Sequence, residues 1–132
     1  MPVEVYTSDN DQIVHMDYID PWSVGDLLAT VPKQKEICEK LNHPVSVVVN
    51  LLGTRHIPPG VVRARESPLL KSPQVQQIVA VGGPAIAKVL GDVVLKVVNF
   101  KKARFFDTKE DAMKYLRESI ANESLHSAAP RN

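Results

Sequence analysis

The sequence predicts an α/β domain built as a single layer: one mixed, mostly parallel sheet with helices packed on it. Three observations predict it. Residues 45–52, VSVVVNLL, are almost continuously aliphatic, the pattern of a central strand covered on both faces. β-Branched runs alternate along the chain with segments whose apolar residues recur at intervals of three and four, the helical period. The first twenty residues read as two short alternating strands around a turn-rich Ser8-Asp9-Asn10-Asp11. The resulting order is β-β-α-β-α-β-α-β-α, in which right-handed strand-helix-strand crossovers make the later strands parallel neighbours.

Each element follows from local chemistry. Val3 and Val5 alternate with Glu4 and Tyr6, and Val14, Met16 and Tyr18 alternate with His15 and Asp17, so His15 is expected to point outward from a half-buried hairpin. Asp20-Pro21 supplies a carboxylate cap and a proline at a first helical position. That helix would bury Trp22, Leu27, Leu28 and Val31, and Pro32 would kink it or begin a second helix through Leu41. After the central strand, residues 53–60 form a loop, residues 61–66 a short helix, and Pro68 and Pro73 keep the following stretch broken. Residues 77–81 are a second β-branched run. Gly82-Gly83-Pro84 turns it into a helix with Ile86, Val89, Leu90, Val93, Val94 and Val97 on one face, weakened by Gly91. Residues 103–106 are the last strand. Thr108 and Asp111 resemble a capping box for a helix carrying Ala112, Tyr115, Leu116 and Ile120 inward. Residues 1–121 are read as one domain, and 122–132 as a frayed tail.

Composition narrows the function classes. The 132 residues are 44% hydrophobic and 23% charged, and 16 basic against 15 acidic side chains leave a formal charge of +1. This is an ordinary globular balance, without the basic excess that a nucleic acid or anionic lipid partner would call for. Lys96, Lys101, Lys102 and Arg104 form a small basic run, read as a solvated strand edge. Cys38 is the single cysteine, which excludes an internal disulfide and a cysteine-built metal centre; on a short helix near the core it is expected to be inert. The first twelve residues lack a basic stretch followed by an apolar run, and no run of about eighteen apolar residues occurs. A cytoplasmic location without stable membrane insertion is expected.

In open α/β sheets, ligands gather beyond the carboxyl ends of strands, where helix amino termini present free N–H groups. Two such corners are candidates for a ligand or partner: Asn50 with Thr54, Arg55, His56, Gly60 and Arg63, and Gly82 with Gly83. Together they would suit an anion, a carboxylate or an acidic side chain of a partner. The competing assignment makes the glycines a tight turn, Arg55, His56 and Arg63 solvated loop residues, and Thr54 a loop hydrogen-bonder. No nucleophile-base-acid set can be placed, and no histidine pair has the i, i+4 spacing of a helical zinc site. No catalytic residue, metal or cofactor is therefore assigned. Trp22 packs or lines a cavity.

The aliphatic strand VSVVVNLL ending near Asn50, the loop and Gly60 after it, VAVGG before a helix, and ARFFDTKEDAMKYL near the end together resemble the STAS/SpoIIAA-like superfamily, the anti-sigma-factor-antagonist fold. The likeness spans residues 3–120 and is closer to a bacterial branch outside the characterised antagonists. It implies a SpoIIAA-like sheet and a non-enzymatic protein-binding or regulatory module, with self-association compatible. Antagonists carry Asp-Ser-Ser/Thr-Gly with a phosphorylated serine, whereas this chain has Ile57-Pro58-Pro59-Gly60. Proline has no hydroxyl, so the family's phosphate switch cannot operate there. The alternative function is a small-molecule or lipid-binding domain, related in architecture to CRAL-TRIO domains, with residues 57–75 as a lid over an apolar cavity. An enzyme ranks third.

Overall fold

The computed structural model describes residues 2–85 and 103–128, together with Lys88 and Lys96, the side chains of Val62 and residues 123–128 excepted. The predicted helix bearing Ile86, Val89, Leu90, Gly91, Val93, Val94 and Val97 lies outside the described residues, as do Lys101 and Lys102.

The protein is α/β, with one five-stranded mixed sheet and helices packed on it. The strands are β1 (Val3–Ser8), β2 (Ile13–Ile19), β3 (Val45–Gly53), β4 (Val75–Val81) and β5 (Ala103–Phe106). They lie side by side in chain order, with β1 antiparallel to β2 and the other neighbours parallel. Between them run α1 (Val24–Leu28), α2 (Val31–Lys40), a 3₁₀ helix (Val61–Glu66) and α3 (Pro68–Lys71), and α4 (Lys109–Ala128) follows β5. The short α3 occupies the stretch in which the prolines predict no structure. Pro68 opens it at a position where a missing N–H is harmless.

Successive side chains on a strand point to opposite faces, and both faces are covered. On one, Val14, Met16, Val45, Val47 and Ile78 pack with Trp22, Leu27, Ile37 and Leu69 from the helical side. On the other, Ile13, Val48, Val79 and Val81 pack with Ala112, Met113 and Leu116 of α4. This double cover is why β3 reads as an unbroken aliphatic run. Burying each such valine contributes about 1.5–3 kcal/mol.

Two expectations are corrected. His15 does not point to solvent: it is 3% exposed, because its face of the hairpin lies beneath α4, which sequence alternation cannot reveal. Asp20 does not cap the first helix. Helix α1 starts at Val24 with Ser23 as its N-cap, and Ser23 and Asp26 form a reciprocal capping box; the Asp20-Pro21 peptide is cis. Pro32 does open the second helix, α2. The last helix runs to Ala128, past residue 122, since no glycine or proline interrupts the chain there. Among the described residues no helix is long and apolar enough to cross a membrane.

Candidate functional site

The corner predicted around Asn50 is spent on holding its own loop. Thr54, 4% exposed, is the hub: its hydroxyl donates to Asp20 Oδ1 at 2.6 Å and accepts from Trp22 Nε1 at 2.8 Å. The second carboxylate oxygen of Asp20 accepts from the Arg55 N–H at 2.6 Å. These two donors hold the Asp20 carboxyl below the usual carboxylate range, the Thr54 hydroxyl most strongly. Asn50 Oδ1 accepts from the Leu52 N–H at 3.0 Å. The Arg55 and His56 side chains are exposed, and Arg63 pairs with Glu66 at 2.8 Å. Gly60 takes φ +81° at the start of the 3₁₀ helix.

The two glycines of the other corner have φ +68° and +89°, a conformation that favours residues without a Cβ. A Cβ on Gly82 would also lie 2.6 Å from Leu52 Cδ2. Neither corner presents its polar side chains as a cradle, and Gly82 lines a cavity.

That cavity lies between the sheet and the segment that follows β3. It measures about 150 Å³. Met16 and Tyr18 of β2, Val47, Val49 and Leu51 of β3, and Ile78 and Ala80 of β4 make its floor, which continues to Ala103 and Phe105 of β5. Its roof is Leu27 of α1, Ile57, Val61 and Ala64 of the loop and 3₁₀ helix, and Ser67, Leu69 and Leu70 at α3, with Trp22 at one end. Small residues line part of this space: Ala80 on β4, Gly82 just after it and Ala103 on β5.

The walls are hydrocarbon, and their few polar groups are accounted for individually. Trp22 Nε1 is satisfied by Thr54, and Ser67 Oγ donates to Gln34 Oε1. Arg104 reaches the cavity only along the strand, since its guanidinium stacks over Tyr115 on the α4 face, 4.9 Å from the ring centroid. Lys88 Nζ sits 5.9 Å from the Phe105 ring centroid, at the end where Phe105 remains 38% exposed. At the opposite end the Tyr18 and Trp22 rings meet at 4.7 Å, tilted by 60°.

A second recess lies on the α4 face, lined by Tyr6, Ser8, His15, Lys109 and Arg117 among others. Ser8 Oγ is 2.7 Å from His15 Nε2, and the Tyr6 ring stacks on the imidazole at 4.6 Å. The Tyr6 hydroxyl donates to Asp17 Oδ2 at 2.8 Å; burial, with Asp17 next, raises the phenol to about 12. Burial, reinforced by the Lys109 ammonium, holds His15 below the usual imidazole range. The buried His15 Nδ1 has no hydrogen-bond partner among the described residues, so no carboxylate orients the ring as a catalytic base would need. Among the described residues no three His, Cys, Asp or Glu side chains gather as a metal site. Cys38 is half-buried, and burial raises its thiol.

No family model matches the chain. Neither a curated protein nor a solved structure matches it. The functional assignment therefore stands on the geometry of the cavity.

Ile57, Val61, Ala64, Leu69 and Leu70 line the cavity, and the apolar, proline-rich stretch of residues 57–75 from which they come was legible in the sequence. The floor was not, because Tyr18, Val47, Val49 and Ile78 read simply as core. The signal the sequence offered was the small residues Ala80, Gly82 and Ala103, which line the cavity from the end of β4 and the start of β5.

Proposed function

We propose that this domain is a non-enzymatic binding module whose ligand is a small, mainly apolar molecule held between the sheet and residues 53–75. One observation carries the reading: an apolar cavity of about 150 Å³ beneath the 3₁₀ helix and α3. An engineered apolar cavity of about that volume takes up benzene or xenon, so the size suits one ring or a short chain rather than a whole lipid. Methyl NMR tests it. Adding α-methylstyrene to the intact protein should move the methyl signals of Val47, Val49, Leu51 and Ile78 saturably, while those of Val48 and Val79, on the α4 face, stay in place. Unmoved methyl signals up to the solubility limit of the probe would remove the reading.

A second reading keeps the STAS-like regulatory module, located in the cytoplasm and acting through a protein partner or a second copy. Strand order supports it, with one antiparallel edge followed by parallel strands in chain sequence. So do Ile19 and Leu52, 50% and 54% exposed at the carboxyl ends of β2 and β3. Light scattering on the protein and on Leu52→Ser distinguishes this reading: a dimer lost in the variant supports self-association, and a monomer in both discards it.

A further inference from the structure

We propose that the ligand of the apolar cavity is an uncharged molecule carrying one hydrogen-bond acceptor, such as a carbonyl oxygen, which the Tyr18 hydroxyl holds. This rests on the ligand-binding reading above and names the chemistry of that same site. Tyr18 is 7% exposed and lines the cavity. Trp22 and Ser67, the other neutral polar side chains in the wall, are both satisfied by protein atoms. Tyr18 is not: its ring meets Trp22, and its hydroxyl has no hydrogen-bond partner among the described residues.

Nor is that hydroxyl sealed into the core. The sealed side-chain atoms without a hydrogen-bond partner among the described residues are His15 Nδ1 and Asp17 Oδ1, both on the other face of the sheet. The Tyr18 hydroxyl is not among these sealed atoms, and its side chain lines the cavity. A buried donor left without a partner is costly, and an acceptor brought in by a ligand removes that cost. Tyr18 is also well positioned to confer direction. It is fixed in register opposite Val3 on β1, with Trp22 against its ring, so a bound acceptor meets a donor already in place.

Charge decides between a carbonyl and a carboxylate. The Arg104 guanidinium is on the α4 face. Lys88 stands beside Phe105 on β5, three strand spacings from β2 and so about 14 Å away across the sheet. Among the described residues lining the cavity no cation stands beside Tyr18, so an anion there would lack a close counter-charge, which proteins avoid. A neutral acceptor carries no such penalty.

Three planar molecules of nearly one shape test this by NMR titration: α-methylstyrene, acetophenone and benzoate, each with the intact protein and with Tyr18→Phe. Acetophenone should bind the wild-type protein more tightly than α-methylstyrene. That preference should fall by about two- to twelvefold in Tyr18→Phe, the span of one net hydrogen bond, while α-methylstyrene binds the variant at least as well. Benzoate should be the weakest of the three. A preference unchanged by Tyr18→Phe, or benzoate binding tightest, overturns the proposal while leaving apolar ligand binding intact. Failure of both neutral probes to bind the wild-type protein removes the ligand-binding reading and this proposal with it. Should the variant fold poorly, the wild-type order of the three probes still decides: acetophenone first supports the proposal, and either other probe first overturns it.

Discussion

Replacing Ala80 by leucine tests whether the space over β4 is real and whether it is where ligands go. Ala80 lies between Val49 and Phe105 in register and lines the cavity with them. Leucine adds three carbon atoms. At about 0.8 kcal/mol for each buried CH₂, the ceiling on the gain is roughly 2.4 kcal/mol. A cavity of about 150 Å³ has room for them without forcing neighbouring side chains off their rotamers, and such forcing would otherwise cost about 1–3 kcal/mol. Rotamer entropy takes part of the gain, so Ala80→Leu should stabilise the domain by about 1–2 kcal/mol. In a domain of this size that raises Tm by about 3–6 °C. Calorimetry reads both sides of the prediction. The variant should melt higher without ligand, and the upward shift that acetophenone gives the wild-type protein should vanish. A variant that melts lower by several degrees, or that binds acetophenone as the wild type does, would refute the cavity as a ligand site.

Three further outcomes are expected. Thr54→Val leaves the buried Trp22 N–H without its acceptor, at a cost of about 1–3 kcal/mol; the fluorescence of the single tryptophan should report it as a red shift, and an unchanged spectrum and Tm would contradict the hub role of Thr54. His15 is held below the usual imidazole range, so the unfolded chain takes up its proton first as pH falls. Its contribution is complete above the ordinary imidazole pKa and is lost as pH drops through the lower folded value; urea midpoints between pH 8 and 5 should decline more steeply for the wild type than for His15→Phe, and parallel curves would refute this. Gly82→Ala forces a side chain onto a backbone at φ +68° and against Leu52; it should cost about 1–2 kcal/mol, the penalty of the left-handed conformation, and an unchanged denaturation midpoint would count against it.

Sequence by itself determined the elements and the class of fold. The unbroken aliphatic run of β3, the alternation in the hairpin, Pro32 at the start of α2 and the Thr108 cap of α4 are each local features, set by periodicity or by the chemistry of one or two residues. The apolar, proline-rich stretch after β3 was legible in the same way. Tertiary structure alone decided which faces were covered and where space remained. His15 is buried because a helix from the far end of the chain lies over its strand, and α4 closes there through the 2.8 Å pair between Arg117 and Asp9. Thr54 became a structural hub because Asp20 and Trp22, more than thirty residues earlier, converge on its hydroxyl. The cavity is lined by Ala80 and Ala103 on β4 and β5 and Gly82 just after β4, together with residues of β2 and β3 that only sheet pairing brings near them. Periodicity marks which residues turn inward, but a void is a property of what several inward-facing residues jointly fail to fill, and that sum is fixed only when the strands and the roof are assembled.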